Sequence, residues 1–210
     1  MLRIFSAIVI FLFTTATAAA TAFATAAPPI LVVGDSLSAG HGIGKEQSWP
    51  ALLARRLPAE GYPHGVVNIS ISGETSSGGL SRLGPALQQY RPAIVVIALG
   101  ANDGLRGLPL KQMRANLAAM IRQSQASRAR VLLIGMQLPP NYGLAYGNGF
   151  QQTYADLARE FDTPLLPFLL EGFADRRDAF LADGLHPTAA MQPLILDNVW
   201  KPLRPLLSKR

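Results

Sequence analysis

A serine, an aspartate and a histidine stand near the two ends of this chain in settings that suit acyl transfer. Ser36 lies in Gly34-Asp35-Ser36-Leu37-Ser38, directly after the apolar run Ile30-Leu31-Val32-Val33. Asp183 and His186 lie in Asp183-Gly184-Leu185-His186-Pro187. A serine hydroxyl is a weak nucleophile until a base takes its proton, so it must sit where both substrate and base can reach it. A neutral imidazole, with a free pKa of roughly 6.5, can accept that proton and later return it to a leaving group. An aspartate three residues before the histidine can bond the ring nitrogen facing away from the serine, fixing the tautomer and stabilising the imidazolium. Each motif alone also has a plainer explanation. Asp35 or Ser36 can cap a helix, and Asp183 can cap a turn that leaves His186 on the surface.

Acyl transfer also needs hydrogen-bond donors for the oxyanion. Gly73, in Ser70-Ile71-Ser72-Gly73-Glu74-Thr75, has no Cβ to keep a substrate from its backbone N–H. Asn102, in Gly100-Ala101-Asn102-Asp103, can aim a side-chain amide at the same point. With the Ser36 N–H these make three candidate donors; a turn glycine and an Asx-turn asparagine are the competing explanations. The other two of the chain's three histidines are weaker candidates for the base. His41, in Gly40-His41-Gly42, can line a crevice without acting as base, and His64, between Pro63 and Gly65, is expected in an exposed turn. Neither has an acidic neighbour as well placed as Asp183.

These positions acquire weight from the elements that must hold them. Apolar runs of strand length alternate with helical periods: strands at 30–35, 65–71, 93–99, 130–137 and 163–168, and helices at 48–58, 78–91, 110–127, 150–161 and from about 187. Ile94-Val95-Val96-Ile97 and Val131-Leu132-Leu133-Ile134 are continuous apolar runs, as expected of parallel strands covered on both faces. Leu110, Met113, Leu117, Met120 and Ile121 recur at helical spacing, so one stripe faces the sheet. Strict alternation predicts a three-layer α/β/α fold with a five-stranded parallel sheet in the order 2-1-3-4-5. In such a sheet the ligand crevice lies beyond the carboxyl ends of the strands. Ser36, Gly73, Asn102 and the segment Leu138-Pro139-Pro140 all follow predicted strand ends. Tyr142, Leu144, Tyr146 and Phe150, set among Gly143, Gly147 and Gly149, are expected on a loop that can either close over an acyl chain or simply be anchored by its aromatics.

The opening residues read as an export signal. Arg3 is a short positive region, Ile4 to Phe13 an apolar run too short for a comfortable membrane span, and Ala24-Thr25-Ala26 a small-residue cleavage site. Removal of residues 1–26 leaves a domain over 27–210 and points to a periplasmic or secreted protein. Cysteine is absent, which excludes disulfides, thiolate metal sites and a cysteine nucleophile. The three histidines match no ligand pattern such as H-E-x-x-H, so neither a metal nor another cofactor is expected. The formal net charge is +6. Lys201, Arg204, Lys209 and Arg210 gather at the C-terminus, where they can favour an anionic membrane surface or simply complement a helix dipole. No basic stripe interleaved with aromatics points to nucleic acid.

Taken together, Gly34-Asp35-Ser36-Leu37-Ser38, Gly73, Gly100-Ala101-Asn102-Asp103 and Asp183-Gly184-Leu185-His186-Pro187 resemble the four blocks of the SGNH, or GDSL, hydrolases. Val67-Asn68 through Gly79, Asn102 through Gly107, Leu138 through Gly143 and Thr163 through Phe168 are similar to the exported bacterial thioesterase I/lysophospholipase arylesterases. The G-x-S-x-G elbow of the α/β-hydrolases is absent. The resemblance implies Ser36 as nucleophile, His186 as base and Asp183 as its orienter. It assigns the oxyanion donors to Ser36, Gly73 and Asn102, and needs no metal or cofactor. It implies acyl-CoA thioesters, lysophospholipids and aryl esters as substrates, and a monomer is expected. His41 departs from an expected tyrosine and Ala101 from an expected glycine. A carbohydrate O-acetylesterase on the same scaffold and a non-catalytic acyl-lipid-binding protein are the alternatives.

Overall fold

The structure, a computed structural model, describes residues 27–209. The expected signal segment at 1–26 lies outside the described residues, as does Arg210. The strands are β1 (Ala27–Gly34), β2 (His64–Asn68), β3 (Ile94–Ala98), β4 (Arg130–Ile134) and β5 (Leu165–Leu166). They form one sheet in the order β2-β1-β3-β4-β5. Every paired neighbour is parallel. The helices are α1 (Ser36–Ala39), α2 (Trp49–Ala59), α3 (Ser76–Tyr90), α4 (Ala101–Leu105), α5 (Leu110–Ala126), α6 (Leu144–Glu160) and α7 (Gln192–Leu203).

The pleat explains why the central strands are apolar without interruption. Alternate residues point to opposite faces, and both faces are covered. Ile30, Val32, Ile94, Val96, Leu132 and Ile134 pack with Trp49, Leu53 and Leu57 of α2 and Ile195, Val199 and Leu203 of α7. Leu31, Val33, Val95, Ile97, Val131 and Leu133 pack with Leu83 of α3, Leu117 and Ile121 of α5, and Phe150 and Leu157 of α6. Such burial contributes about 1.5–3 kcal/mol for each large apolar side chain. It gives the sheet the rigidity that a site at its edge requires.

The structure departs from the sequence expectation at several points, and the expected strand 130–137 ends at Ile134. The expected strand 65–71 ends at Asn68, whose side chain accepts from Ser70 N and donates to Ser38 O. Backbone bonds from Ile69 to Val32 and from Ile71 to Gly34 still tie the following residues to β1. The expected strand 163–168 shrinks to Leu165–Leu166, because the flanking Pro164 and Pro167 have no N–H to donate. His64 is buried rather than exposed. It pairs with Ala27 across β1 and β2, and its Nδ1 lies 2.8 Å from Pro28 O, so strand pairing overrides the local turn composition. Pro187 does not begin the last helix. It forms an antiparallel bridge with Phe180, and α7 starts at Gln192.

Candidate active site

β1 ends at Gly34, and the chain turns at once into the four-residue α1. Asp35 caps that turn, its Oδ1 accepting the Leu37 N–H at 3.0 Å. The capping explanation of this motif therefore holds for Asp35. It leaves Ser36 at the first helical position, where a backbone N–H has no partner within the helix.

At the other end of the chain Asp183 organises its own turn. One carboxylate oxygen accepts the backbone N–H groups of Leu185 at 2.9 Å and His186 at 3.0 Å. The other oxygen lies 2.8 Å from His186 Nδ1. These bonds hold the Asp183 carboxyl well below the usual carboxylate range, so it is ionised and can only accept. Nδ1 therefore carries the proton of the neutral ring, and Nε2 is left as an acceptor. The Ser36 hydroxyl stands 2.9 Å from Nε2 and donates to it across a sequence separation of 150 residues. The bridge of Phe180 with Pro187, closed by Leu181 N–H to His186 O at 2.8 Å, fixes the height of the histidine above the sheet.

Asn102 lies at the start of α4, and the residue before it explains how it gets there. Gly100 has φ of 112°, and a Cβ at this position would meet the Tyr154 hydroxyl oxygen at 2.2 Å. Only glycine suits that backbone and that approach. The Asn102 amide donates to Glu74 O at 3.0 Å and makes a longer contact, 3.4 Å, with Asp35 Oδ2. Gly73 also has positive φ, 78°, and its carbonyl accepts from Arg106 Nη2 at 2.8 Å. Gly73 thus sits on the turn directly before Glu74, whose carbonyl takes the Asn102 amide.

Two buried carboxyls were not predicted from sequence to act here. Asp35 is pushed up to about 6 by burial, opposed in part by the Leu37 N–H and the neighbouring His186. Asp103, also buried, accepts the Ser76 N–H at 2.8 Å and the Ser76 hydroxyl at 2.5 Å. Asn116 of α5 donates to the same hydroxyl at 3.0 Å. This network clamps the start of α3, three residues after Gly73, to the helix that carries Asn102. The available sequence signal was the adjacency of each carboxylate to a candidate, Asp35 to Ser36 and Asp103 to Asn102.

Ser36, Asn102 and His186 border a cleft of about 530 Å³ whose apolar wall includes Leu105, Met136, Leu138, Phe168, Leu170 and Phe180. The expected aromatic lid is organised differently. Residues from Leu144 onward are helical, and Phe150 is fully buried in the core against Tyr154. Tyr142 and Tyr146 donate to the carbonyls of Leu105 and Leu108. They brace the segment after Leu138 against the α4–α5 connection rather than face the cleft. The His41 ring lies tilted against that of His186, with centroids 4.3 Å apart.

Comparison with known proteins agrees with this geometry. Residues 32–193 match the GDSL-like Lipase/Acylhydrolase family. The chain is 52% identical to Esterase TesA of Pseudomonas aeruginosa over 182 residues, 87% of this chain and 90% of that protein. It is 42% identical to Thioesterase 1/protease 1/lysophospholipase L1 of Escherichia coli K12 over 185 residues, 88% of each. A crystal structure of TesA superposes with a TM-score of 0.84 at 51% identity, covering 85% of this chain and 99% of that one. A sheet of the expected order, a serine, histidine and aspartate joined at its carboxyl edge, and a family match across that whole arrangement lead to one conclusion: the chain belongs to the GDSL-like lipase/acylhydrolase family.

Proposed function

We propose that this protein is an exported serine hydrolase of acyl esters and thioesters, with Ser36 as nucleophile, His186 as base and Asp183 as its orienter. The observation that carries the assignment is the unbroken series of bonds from Asp183 through His186 to Ser36, at 2.8 and 2.9 Å. Ser36 Oγ attacks the acyl carbon while His186 Nε2 takes its proton. The carbonyl oxygen becomes an oxyanion facing the N–H groups of Ser36 and Gly73 and the amide of Asn102, which gives up its long contact with Asp35. Collapse expels an alcohol or thiol that takes the proton back from His186. Water, activated by the same nitrogen, then attacks the acyl-serine and releases the carboxylic acid. No step calls for a metal or cofactor.

The apolar wall of the cleft favours an acyl chain over a sugar, and the relatives' names, an esterase and a thioesterase/lysophospholipase, support thioesters, lysophospholipids and simple esters as the substrates to test. The export reading rests on Arg3, the apolar run Ile4 to Phe13 and the small residues before Ala27, with 27–210 as the hydrolase domain. Among the described residues no helix is long and apolar enough to cross a membrane.

A fluorophosphonate probe should label the wild type at Ser36, and labelling should vanish in Ser36→Ala; an unlabelled wild type would exclude the enzyme reading in favour of a binding protein. A p-nitrophenyl ester series of graded chain length tests the substrate class. Strong preference for acetate, with octanoate ignored, would replace the acyl-lipid reading by a carbohydrate O-acetylesterase.

A further inference from the structure

His41 has no part in the steps above, yet it lies against the base. Its ring centroid is 4.3 Å from that of His186, with the planes inclined by 38°. One donor atom from each of His41, Asp183 and His186 lies within 4.8 Å of the other two. We propose that these three side chains form an inhibitory site for a divalent transition-metal ion of the zinc, copper and nickel class. The inference rests on the reading of His186 as the catalytic base.

Donor chemistry sets the class of ion. Two imidazoles and one carboxylate suit zinc, copper and nickel, whereas magnesium and calcium favour sites built of oxygen alone. Metal bonds of about 2.0–2.1 Å to nitrogen bring tetrahedral ligands to within about 3.4 Å of one another. The present spread of up to 4.8 Å must therefore contract. His41 is the side chain free to make that movement. It is exposed, while its backbone N–H is anchored to Ser36 O at 3.1 Å, so the ring can swing about a fixed Cα. Three protein ligands leave a further position for water, as in open zinc sites.

Inhibition follows whichever nitrogen of His186 is used, because both are already engaged. Nδ1 is bonded to Asp183 and Nε2 to Ser36. A metal on Nε2 occupies the lone pair that would accept the serine proton. A metal on Nδ1 displaces the bond to Asp183 and moves the ring proton to Nε2. Either way Ser36 loses its base, and removal of the metal restores it.

The test uses the protein freed of metal by chelator and then titrated with Cu²⁺ or Zn²⁺ during p-nitrophenyl butyrate hydrolysis. Each variant is scored against its own metal-free rate. Wild type should be inhibited reversibly, with chelator restoring the rate. His41→Phe, which keeps a ring beside His186 but offers no donor, should need more than about tenfold more metal, since even loss of a partner outside the ligand set costs 10–100-fold in affinity. Electron paramagnetic resonance of Cu²⁺ on Ser36→Ala reads the site without turnover, and should show two nitrogen ligands, reduced to one when His41→Phe is added. Equal metal sensitivity in wild type and His41→Phe, or copper without two-nitrogen ligation, would overturn the site. Two-nitrogen copper with no loss of wild-type activity would instead overturn the inhibitory consequence, and with it the base role of His186.

Discussion

Asp183→Asn separates two accounts of how the aspartate serves the histidine. The wild-type carboxylate accepts three bonds, from Leu185 N and His186 N on one oxygen and from His186 Nδ1 on the other. Asparagine has one oxygen and one NH₂ in the same space. The oxygen keeps two bonds if it faces the backbone N–H pair, so that orientation prevails, and the NH₂ then faces Nδ1. Two donors cannot bond each other. The ring therefore moves its proton to Nε2 and presents a donor to Ser36, where a base is required. Loss of the correct tautomer costs about 10⁴ in kcat, or about 5.5 kcal/mol of barrier. If Asp183 acted by charge alone the loss would be far smaller. Its side chain is 40% exposed, and solvent screening reduces such a pair to about 0.2–1 kcal/mol, less than tenfold in rate. The assay is kcat on p-nitrophenyl butyrate, with circular dichroism and Tm to verify the fold. A fall of less than tenfold in a folded variant would refute the tautomer argument.

Asn102→Ala should lower kcat by about 10²–10³ with a smaller effect on KM, as expected when an oxyanion donor is removed; an equal loss in KM alone would exclude that role. Burial raises the Asp35 pKa from 3.8 to about 6, so the folded state binds its proton more tightly than the unfolded chain. The associated stability is fully present below the unfolded pKa and is lost as pH rises through about 6. The stability of Asp35→Asn relative to wild type should therefore improve by on the order of 2–3 kcal/mol between pH 4 and pH 7.5 in urea denaturation, and a pH-independent difference would contradict this. Asp103→Ala leaves the Ser76 N–H and hydroxyl without their buried acceptor and should cost about 3 kcal/mol in the same experiment; retention of wild-type stability would show that the clamp contributes little.

The period of the apolar residues carries the architecture. Leu31 and Val32 point to opposite faces, yet each needs an apolar partner, so continuous runs such as Ile94 to Ile97 announce a sheet covered on both sides. Strict alternation with helices then leaves few topologies, and 2-1-3-4-5 is the one observed. The site was legible for the same reason. Ser36 and Asn102 follow strand ends, and a doubly wound sheet gathers its strand ends at one edge. Asp183 and His186 were legible as a pair because three residues suffice for one turn to join them.

What lay beyond local pattern is what depends on distant partners. The turn composition around His64 says nothing of Pro28, which takes its ring N–H and buries it. Glycines at 143, 147 and 149 suggest a loop, but packing of Phe150 into the core and the bonds of Tyr142 and Tyr146 draw the segment into helix and brace. The approach of Asp35 to Asn102, the clamp of Asp103 on Ser76 and the tilted ring contact of His41 with His186 join residues on separate elements. By itself the sequence determined which groups can do chemistry and the sheet that must carry them, since residue type and apolar period are local properties. Only the tertiary structure decided the 2.9 Å contact of Ser36 with His186, the burial that raises Asp35 and the walls of the cleft, because each arises from chain segments brought together by packing.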